Sequence, residues 1–416
     1  MRRFLIILAV LIVIGGLGAL VYFLYFNQGP SLVSTANPFG GTAAGSSGTS
    51  GTSGGATDAG VATVPNAVAV TTRLFEINPG PVVPGVIAFT SSSTAPAAAN
   101  ATTTSTSTPT VPDTEIRYVL RQSGNLFSYL FHAQKSTRIV NKTIPGVQEA
   151  SWLPTGDLAY LRYLGEEGGT EAIDTYALPA DGSSGSFLAR DIEQVFATSS
   201  SSIFTLASAG NGSIGTVSKT DGSAGKTVFS TPLSSLRAAS AGKAGFVVYT
   251  KATALENGYA FLADNSGALT RLAGPFPGLV ALPSPQGNWL LYSYTDGNNL
   301  KTALLDMKTR EVLPLPVATI ADKCAWTADE SSVYCGVPVA GTLPDGTYPD
   351  DWYQGAASFT DKIWKINVSG RYAELVLDFT GATKVTLDAT SLSVDPKEDV
   401  LVFINKRDGS LWAYDL

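Results

Sequence analysis

Residues Pro277 to Leu315 read PGLVALPSPQGNWLLYSYTDGNNLKTALLDMKTREVLPL, and the pattern they carry is that of one four-stranded antiparallel unit. A small-residue entry strand leads to a tight turn at Pro285 to Gly287. Three further strands follow, rich in β-branched and aromatic residues and separated by Gly, Asp and Asn turns, as expected of all-β sequence. The unit recurs. From Pro145 the chain reads PGVQEASWLPTGDLAYLRY and then IDTYALPADGSSG. First-hairpin turns fall near Gly156, Ser200, Gly242, Gly287, Asp329 and Lys397, spaced by about 43 to 44 residues except at the last interval, which matches the length of a propeller blade. That last interval is longer by roughly 24 residues, the size of an insertion between Gly336 and Thr360.

The C-terminal segment LSVDPKEDVLVFINKRDGSLWAYDL supplies only three strands. The missing outer strand is found at Arg73-Leu74-Phe75-Glu76-Ile77, where the sequence repeats the approach to the other blades, as at Arg271-Leu272 and Arg138-Ile139. The expected fold is therefore an all-β, seven-bladed β-propeller in which the first segment closes the last blade and leaves no open sheet edge. Six blades remain if the N-terminal unit, Pro81 to Thr143, is not a true one. The turn Ser284-Pro285-Gln286-Gly287 leading into an aliphatic strand, with an Asp-x-x-x-Gly-type turn before an outer strand, resembles the TolB-like propellers of bacteria and WD-repeat propellers. The resemblance covers nearly the whole head but is degenerate in several copies. It implies a fold and supplies no activity.

Ahead of the repeats, Phe4 to Phe26 form an uncharged run of roughly 23 residues, long enough as a helix for a ~30 Å hydrocarbon core. Its exit, Val21-Tyr22-Phe23-Leu24-Tyr25-Phe26, is too bulky for signal cleavage, so residues 1–26 are expected to stay as a single transmembrane anchor. Arg2 and Arg3 precede it and no Lys or Arg follows until Arg73, which places the N-terminus in the cytoplasm and the C-terminal bulk outside. Residues 27–69 are a Gly/Ser/Thr/Ala-rich linker, expected to be a disordered tether with a root-mean-square span of about 35 to 40 Å. The head, 70–416, is interrupted by a Ser/Thr/Pro-rich stretch at 91–113, read as a mobile loop that would also suit O-glycosylation.

The chain carries a formal charge of −7, which becomes about −9 without the two leading arginines. An acidic head repels phosphate backbones and anionic lipid headgroups, so nucleic acid is excluded as a partner, and membrane contact is expected through the helix alone.

Catalytic motifs are sparse. Gly210 to Gly215 satisfies G-x-G-x-x-G but is followed by strand-like TVSK rather than a helix, so it reads as a blade turn and no dinucleotide cofactor is expected. The sole histidine, His132, reads as a residue of a solvent-facing turn. Cys324 and Cys335 flank a predicted hairpin, CAWTADESSVYC, and a disulfide between them suits an oxidising compartment. No metal site is expected from them.

The feature that departs furthest from the repeat is the inserted loop 337–360, VPVAGTLPDGTYPDDWYQGAASFT. It falls between the second and third strands of its blade and should emerge beside the central channel. Asp345, Tyr348, Asp350, Asp351, Trp352 and Tyr353 make it acidic and aromatic, the chemistry of a recognition surface. Two readings of its aromatic residues stand side by side: an exposed binding loop, or rings folded back to plug the channel or cover a blade. Calcium on the carboxylates is a third, although the spacing matches no familiar calcium loop. The leading expectation is a binding or scaffolding head for a protein or glycan at the cell envelope. The alternatives are a hydrolase using two of these carboxylates as acid and base, and a purely structural surface protein.

Overall fold

The structure is a computed structural model that describes residues 68–94, 110–167, 170–297 and 299–416. The apolar run read as an anchor, nearly all of the tether and the middle of the Ser/Thr/Pro stretch lie outside the described residues. Among the described residues no helix is long and apolar enough to cross a membrane.

Seven antiparallel sheets follow one another along the chain. Blade 1 comprises Ile87–Thr94, Thr110–Val119, Leu126–Leu130 and Lys135–Val140, so the N-terminal unit is a true blade and the count is seven. The Ser/Thr/Pro stretch joins its first two strands. Those strands run further into it than the sequence suggests, with Ser91 paired to Asp113 and Thr94 to Thr110. Blades 2 to 6 begin at Val147, Ile192, Leu236, Val280 and Cys324. Blade 7 is built from Ala389–Val394, Val400–Asn405 and Leu411–Asp415, and its fourth strand is Leu74–Asn78. Leu74 pairs with Tyr414 and Phe75 with Ala413. A fifth, two-residue strand, Val68–Ala69, adds to that edge inside the stretch assigned to the tether.

Packing explains why the middle strands are apolar on both sides. Each sheet lies between two others, so neither face meets water. Val400–Asn405 and Ser332–Pro338 are buried at every position, without alternation. Tryptophans at the ends of two inner strands tie blades 2 and 6 to the blades before them. Trp152 Nε1 donates to Gly85 O at 2.9 Å, and Trp326 Nε1 donates to Leu282 O at 3.2 Å.

The first-hairpin turns share a left-handed residue at their fourth position: Gly156 and Gly287 in blades 2 and 5, Glu330 and Glu398 in blades 6 and 7. At Gly287 a Cβ would sit 2.1 Å from Ala241 O, so only glycine fits there. Where glutamate stands instead, its carboxylate reaches the preceding blade. Glu330 Oε2 accepts from Asn288 Nδ2 at 2.6 Å, and Glu398 pairs with Lys365 Nζ at 3.1 Å.

Candidate functional site

At the centre of the ring, a cavity of about 960 Å³ opens on the face that carries the interblade connections and the loops between second and third strands. Its wall draws on the inner strands of three blades through Gln148 and Glu149, Gln194, and Arg237. Two of those strands carry a β-bulge where they face the cavity, between Val147 and Glu149 and between Ile192 and Gln194. A bulge breaks strict alternation and re-aims a side chain; here it leaves polar side chains on the cavity wall of strands whose neighbours enter the core. Gln194 is held by two bonds to blade 4, Nε2 donating to Ala238 O and Oε1 accepting from Ala238 N, both at 2.9 Å.

Blade 4 contributes the cationic side. Arg237 and Tyr249 are cross-strand partners, and Lys251 lies two residues beyond Tyr249 and so on the same face. Opposite them is Asp322, at the entry to blade 6, whose Oδ2 accepts from Tyr353 Oη at 2.6 Å. Asp322 is exposed to the cavity, yet the protein walls around it desolvate its carboxyl and raise it above the ordinary range, against the lowering effects of the Tyr353 bond and Arg237. Protein packed around its hydroxyl likewise raises the Tyr353 phenol well above its usual value although the residue as a whole is open to the cavity, and the charge of Asp322 adds to the rise.

The fourth wall is the insertion. Its strand boundaries place it at residues 339–360, since the second strand of blade 6 runs to Pro338. It crosses the inner ends of the neighbouring blades as a strap, with one short helix, Asp350–Gln354. Tyr348 and Trp352 are each 3% exposed and belong to the core. Tyr348 O accepts from Thr295 Oγ1 of blade 5 at 2.6 Å. At Gly278, where the strap passes closest to blade 5, a Cβ would meet Pro349 Cδ at 2.9 Å. Trp352 Nε1 donates to Asp388 Oδ2, at the entry to blade 7, at 3.1 Å.

Of the six strap residues singled out in the sequence, two line the cavity: Asp350 and Tyr353, with Gln354 beside them. Tyr353 is 42% exposed. Asp350 Oδ2 accepts from Ala254 N at 2.8 Å and so fastens the strap to the blade 4 loop. Asp351 Oδ2 accepts from Thr347 N at 2.7 Å and serves the strap's own turn. Asp345 is exposed and stands outside the cavity lining. The three strap carboxylates are therefore not gathered around one point. Among the described residues there is also no group of three or more His, Cys, Asp and Glu side chains arranged to hold a metal.

Arg237, Lys251, Asp322 and Glu256 also line the cavity, and the sequence does not mark them out. Each sits in a stretch that reads as ordinary strand or loop. The available signal was positional, a charged residue at the start of an inner strand or in a loop between second and third strands. His132 lies on a solvent-facing turn of blade 1, its Nδ1 2.9 Å from Asp113 Oδ1. Cys324 and Cys335 are cross-strand partners with Cα atoms 4.1 Å apart and their sulfurs joined. The G-x-G-x-x-G match spans the turn between Ser202–Ala209 and Gly212–Lys219.

No family model and no curated protein matches the sequence. Solved structures do. The chain is similar to the β-propeller domain of the Trilobed protease from Pyrococcus furiosus, described as having an open velcro topology, at 11% identity over 72% of this chain and 90% of that one, with a TM-score of 0.49. It is also similar to TolB from Acinetobacter baumannii, at 11% identity over 74% and 77% of the two chains, TM-score 0.41. A third is the acylaminoacyl peptidase of Pyrococcus horikoshii, at 10% identity over 73% of this chain but 50% of that one, TM-score 0.47. The head is a closed, seven-bladed β-propeller. At these identities the likeness concerns the fold alone, and the blade count rests on this chain's own strand order.

Proposed function

We propose that the propeller is a binding module, held outside the cytoplasm by the N-terminal helix, which engages a protein or glycan partner at the cell envelope through the strap-bearing face. The observation that carries this reading is the central cavity. It is wide, open, and lined by cations from blade 4 facing carboxylates from blades 2 and 6, with the aromatic edge of Tyr353 between them. Concave sites with a few placed polar groups are where propellers and other scaffolds take ligands. Leu255, 82% exposed on the blade 4 loop at the rim, extends the surface with an apolar contact. Asp350 and Asp351 are committed to separate structural bonds and Asp345 stands outside the cavity lining, which favours recognition over an acid-base pair drawn from the three. A cross-strand disulfide fits an oxidising compartment, in keeping with display beyond the membrane.

The test is capture of partners from envelope extracts and on glycan arrays by the full chain in detergent. A variant with Arg237, Lys251 and Tyr353 changed to Ala is compared with a control carrying Lys219→Ala and Lys308→Ala on the opposite face. Loss of a captured partner by the first variant alone supports the assignment. Equal capture by all three proteins overturns it.

A further inference from the structure

Beneath the strap, Lys323 is fully buried, as are Asp361 and Asp388. Lys323 Nζ lies 2.8 Å from Asp361 Oδ2 and is bonded to Asp388 Oδ1. A lysine with no exposure between two carboxylates with none is costly to hold as ions, because each charge forfeits its hydration. The rings of Trp352 and Phe359 lie 4.9 and 5.1 Å from Nζ and shield it from water.

The two carboxyl groups are not equivalent. Asp388 has donors at both oxygens: Lys323 at Oδ1, and at Oδ2 Phe359 N at 2.9 Å and Trp352 Nε1 at 3.1 Å. Neither oxygen of Asp388 is left bare. Asp361 Oδ2 accepts from Ala389 N at 2.7 Å, but its Oδ1 has no partner among the described residues. A bare buried oxygen suits a neutral acid. Burial indeed pushes the Asp361 carboxyl up to about 6 in spite of the Lys323 ammonium, and the charge on Asp388 adds to the rise.

We propose that Lys323 and Asp361 condense into an intramolecular amide, with Asp388 as the proton carrier. Asp388 takes a proton from the Lys323 ammonium, which turns a buried ion pair into two neutral groups. The freed lone pair on Nζ attacks Cγ of the protonated Asp361 carboxyl, and the electrons of its C=O bond move to oxygen. Asp388 then gives its proton to the Asp361 hydroxyl and takes one from Nζ. The C–OH bond breaks, water leaves and the carbonyl re-forms. Nζ ends with one hydrogen in an amide, and Asp388 ends as a neutral acid beside it. No oxidant, metal or activated co-reactant is required. The surroundings favour the product, since the amide replaces a desolvated ammonium and its acid partner and lies where water cannot return to hydrolyse it.

The position gives the link a purpose. Asp361 opens the third strand of blade 6, where the strap ends, and Lys323 immediately precedes Cys324. An amide here would pin the root of the strap to the blade beside the Cys324–Cys335 bridge, fixing the wall on which Asp350 and Tyr353 stand.

Mass spectrometry of the reduced full chain tests the proposal directly. The expected mass is lower than the encoded one by a single water, and digestion should release the peptide containing Lys323 joined to the one containing Asp361. A folded protein with the full encoded mass overturns the proposal. Joining of Lys323 to Asp388 instead overturns the roles given to the two carboxyl groups. In Asp388→Asn, confirmed as folded by circular dichroism, the water should be retained; its loss there would remove Asp388 as the proton carrier.

Discussion

Gly287 and Glu330 occupy the same place in successive blades with φ of +82° and +63°, and they show how one backbone conformation is met in two ways. Where the neighbouring blade presses its backbone against the turn, glycine is required. Where it stands back, a glutamate takes the strained conformation and returns a bond across the interface. Gly287→Ala is expected to destabilise the head by about 1–3 kcal/mol, from both the left-handed backbone and the contact with Ala241 O. The shift of the urea midpoint measures it. Asp322 makes a second prediction at this scale. Because the protein packed around it raises its carboxyl above the ordinary aspartate range, the folded protein holds this proton more tightly than the unfolded chain. Its contribution is most favourable below the unfolded value and is lost as pH rises through the raised one. In urea titrations from about pH 4 to 7, Asp322→Asn should therefore gain stability relative to the parent as pH rises. A constant difference across that range would contradict the assignment.

Elements, rather than residues, account for closure and for the strap. The ring is held shut by one short strand, Leu74–Asn78, whose Leu74 and Ile77 side chains are 0% and 1% exposed. A chain beginning at residue 80 leaves Leu411–Asp415 as an apolar open edge, and it is expected to self-associate. Size-exclusion chromatography with light scattering should show oligomers or aggregate where the intact head is monodisperse. The strap depends on its anchor rings. Trp352→Ala removes a fully packed indole and two bonds to Asp388, with an expected cost of about 3–5 kcal/mol, while Tyr353→Ala, on the half-open cavity wall, should cost far less. Thermal unfolding of the two variants separates core residue from site residue. In blade 6 the Cys324–Cys335 bridge closes a loop of 11 residues. Replacing both cysteines with Ser should cost about 2–3 kcal/mol by the chain-entropy relation, seen as a midpoint shift that reductant no longer changes.

For the whole molecule, seven sheets arranged around an axis leave one feature that no blade possesses alone, the central cavity. Its charged lining comes from positions roughly 43 residues or multiples of that apart in sequence, a consequence of blade periodicity. Among the described residues blades 5 and 7 contribute nothing to the lining, and the strap crosses their inner ends at Gly278 and Asp388. The asymmetry makes the cavity a directional site on an otherwise repetitive ring. Recognition through it should weaken with salt if Arg237 and Lys251 supply attraction, since screening falls hardest on solvent-facing charges. Partner capture at about 0.05 M and 0.5 M salt measures that dependence.

The features legible in the sequence are those that repeat. Blade count, strand order, turn positions and ring closure are each written several times over in hydrophobic runs and Gly/Pro turns, so degeneracy in one copy is corrected by the others. The strap was legible as an insertion and in its exit beside the channel, because length and chain order decide both. Which of its side chains face inward was not. Tyr348 and Trp352 entered the core while Asp350 and Tyr353 reached the cavity, although Tyr348 and Tyr353 are the same residue type in one short segment. The choice is made by what each side chain meets across the strap, Thr295, Asp388, Ala254 and Asp322, on four different blades. The cluster of Lys323, Asp361 and Asp388 was equally hidden, since charged residues at strand ends ordinarily read as solvated. Only when the strap closes over them do they lose water together, and burial, which is a property of the assembled ring, sets their chemistry.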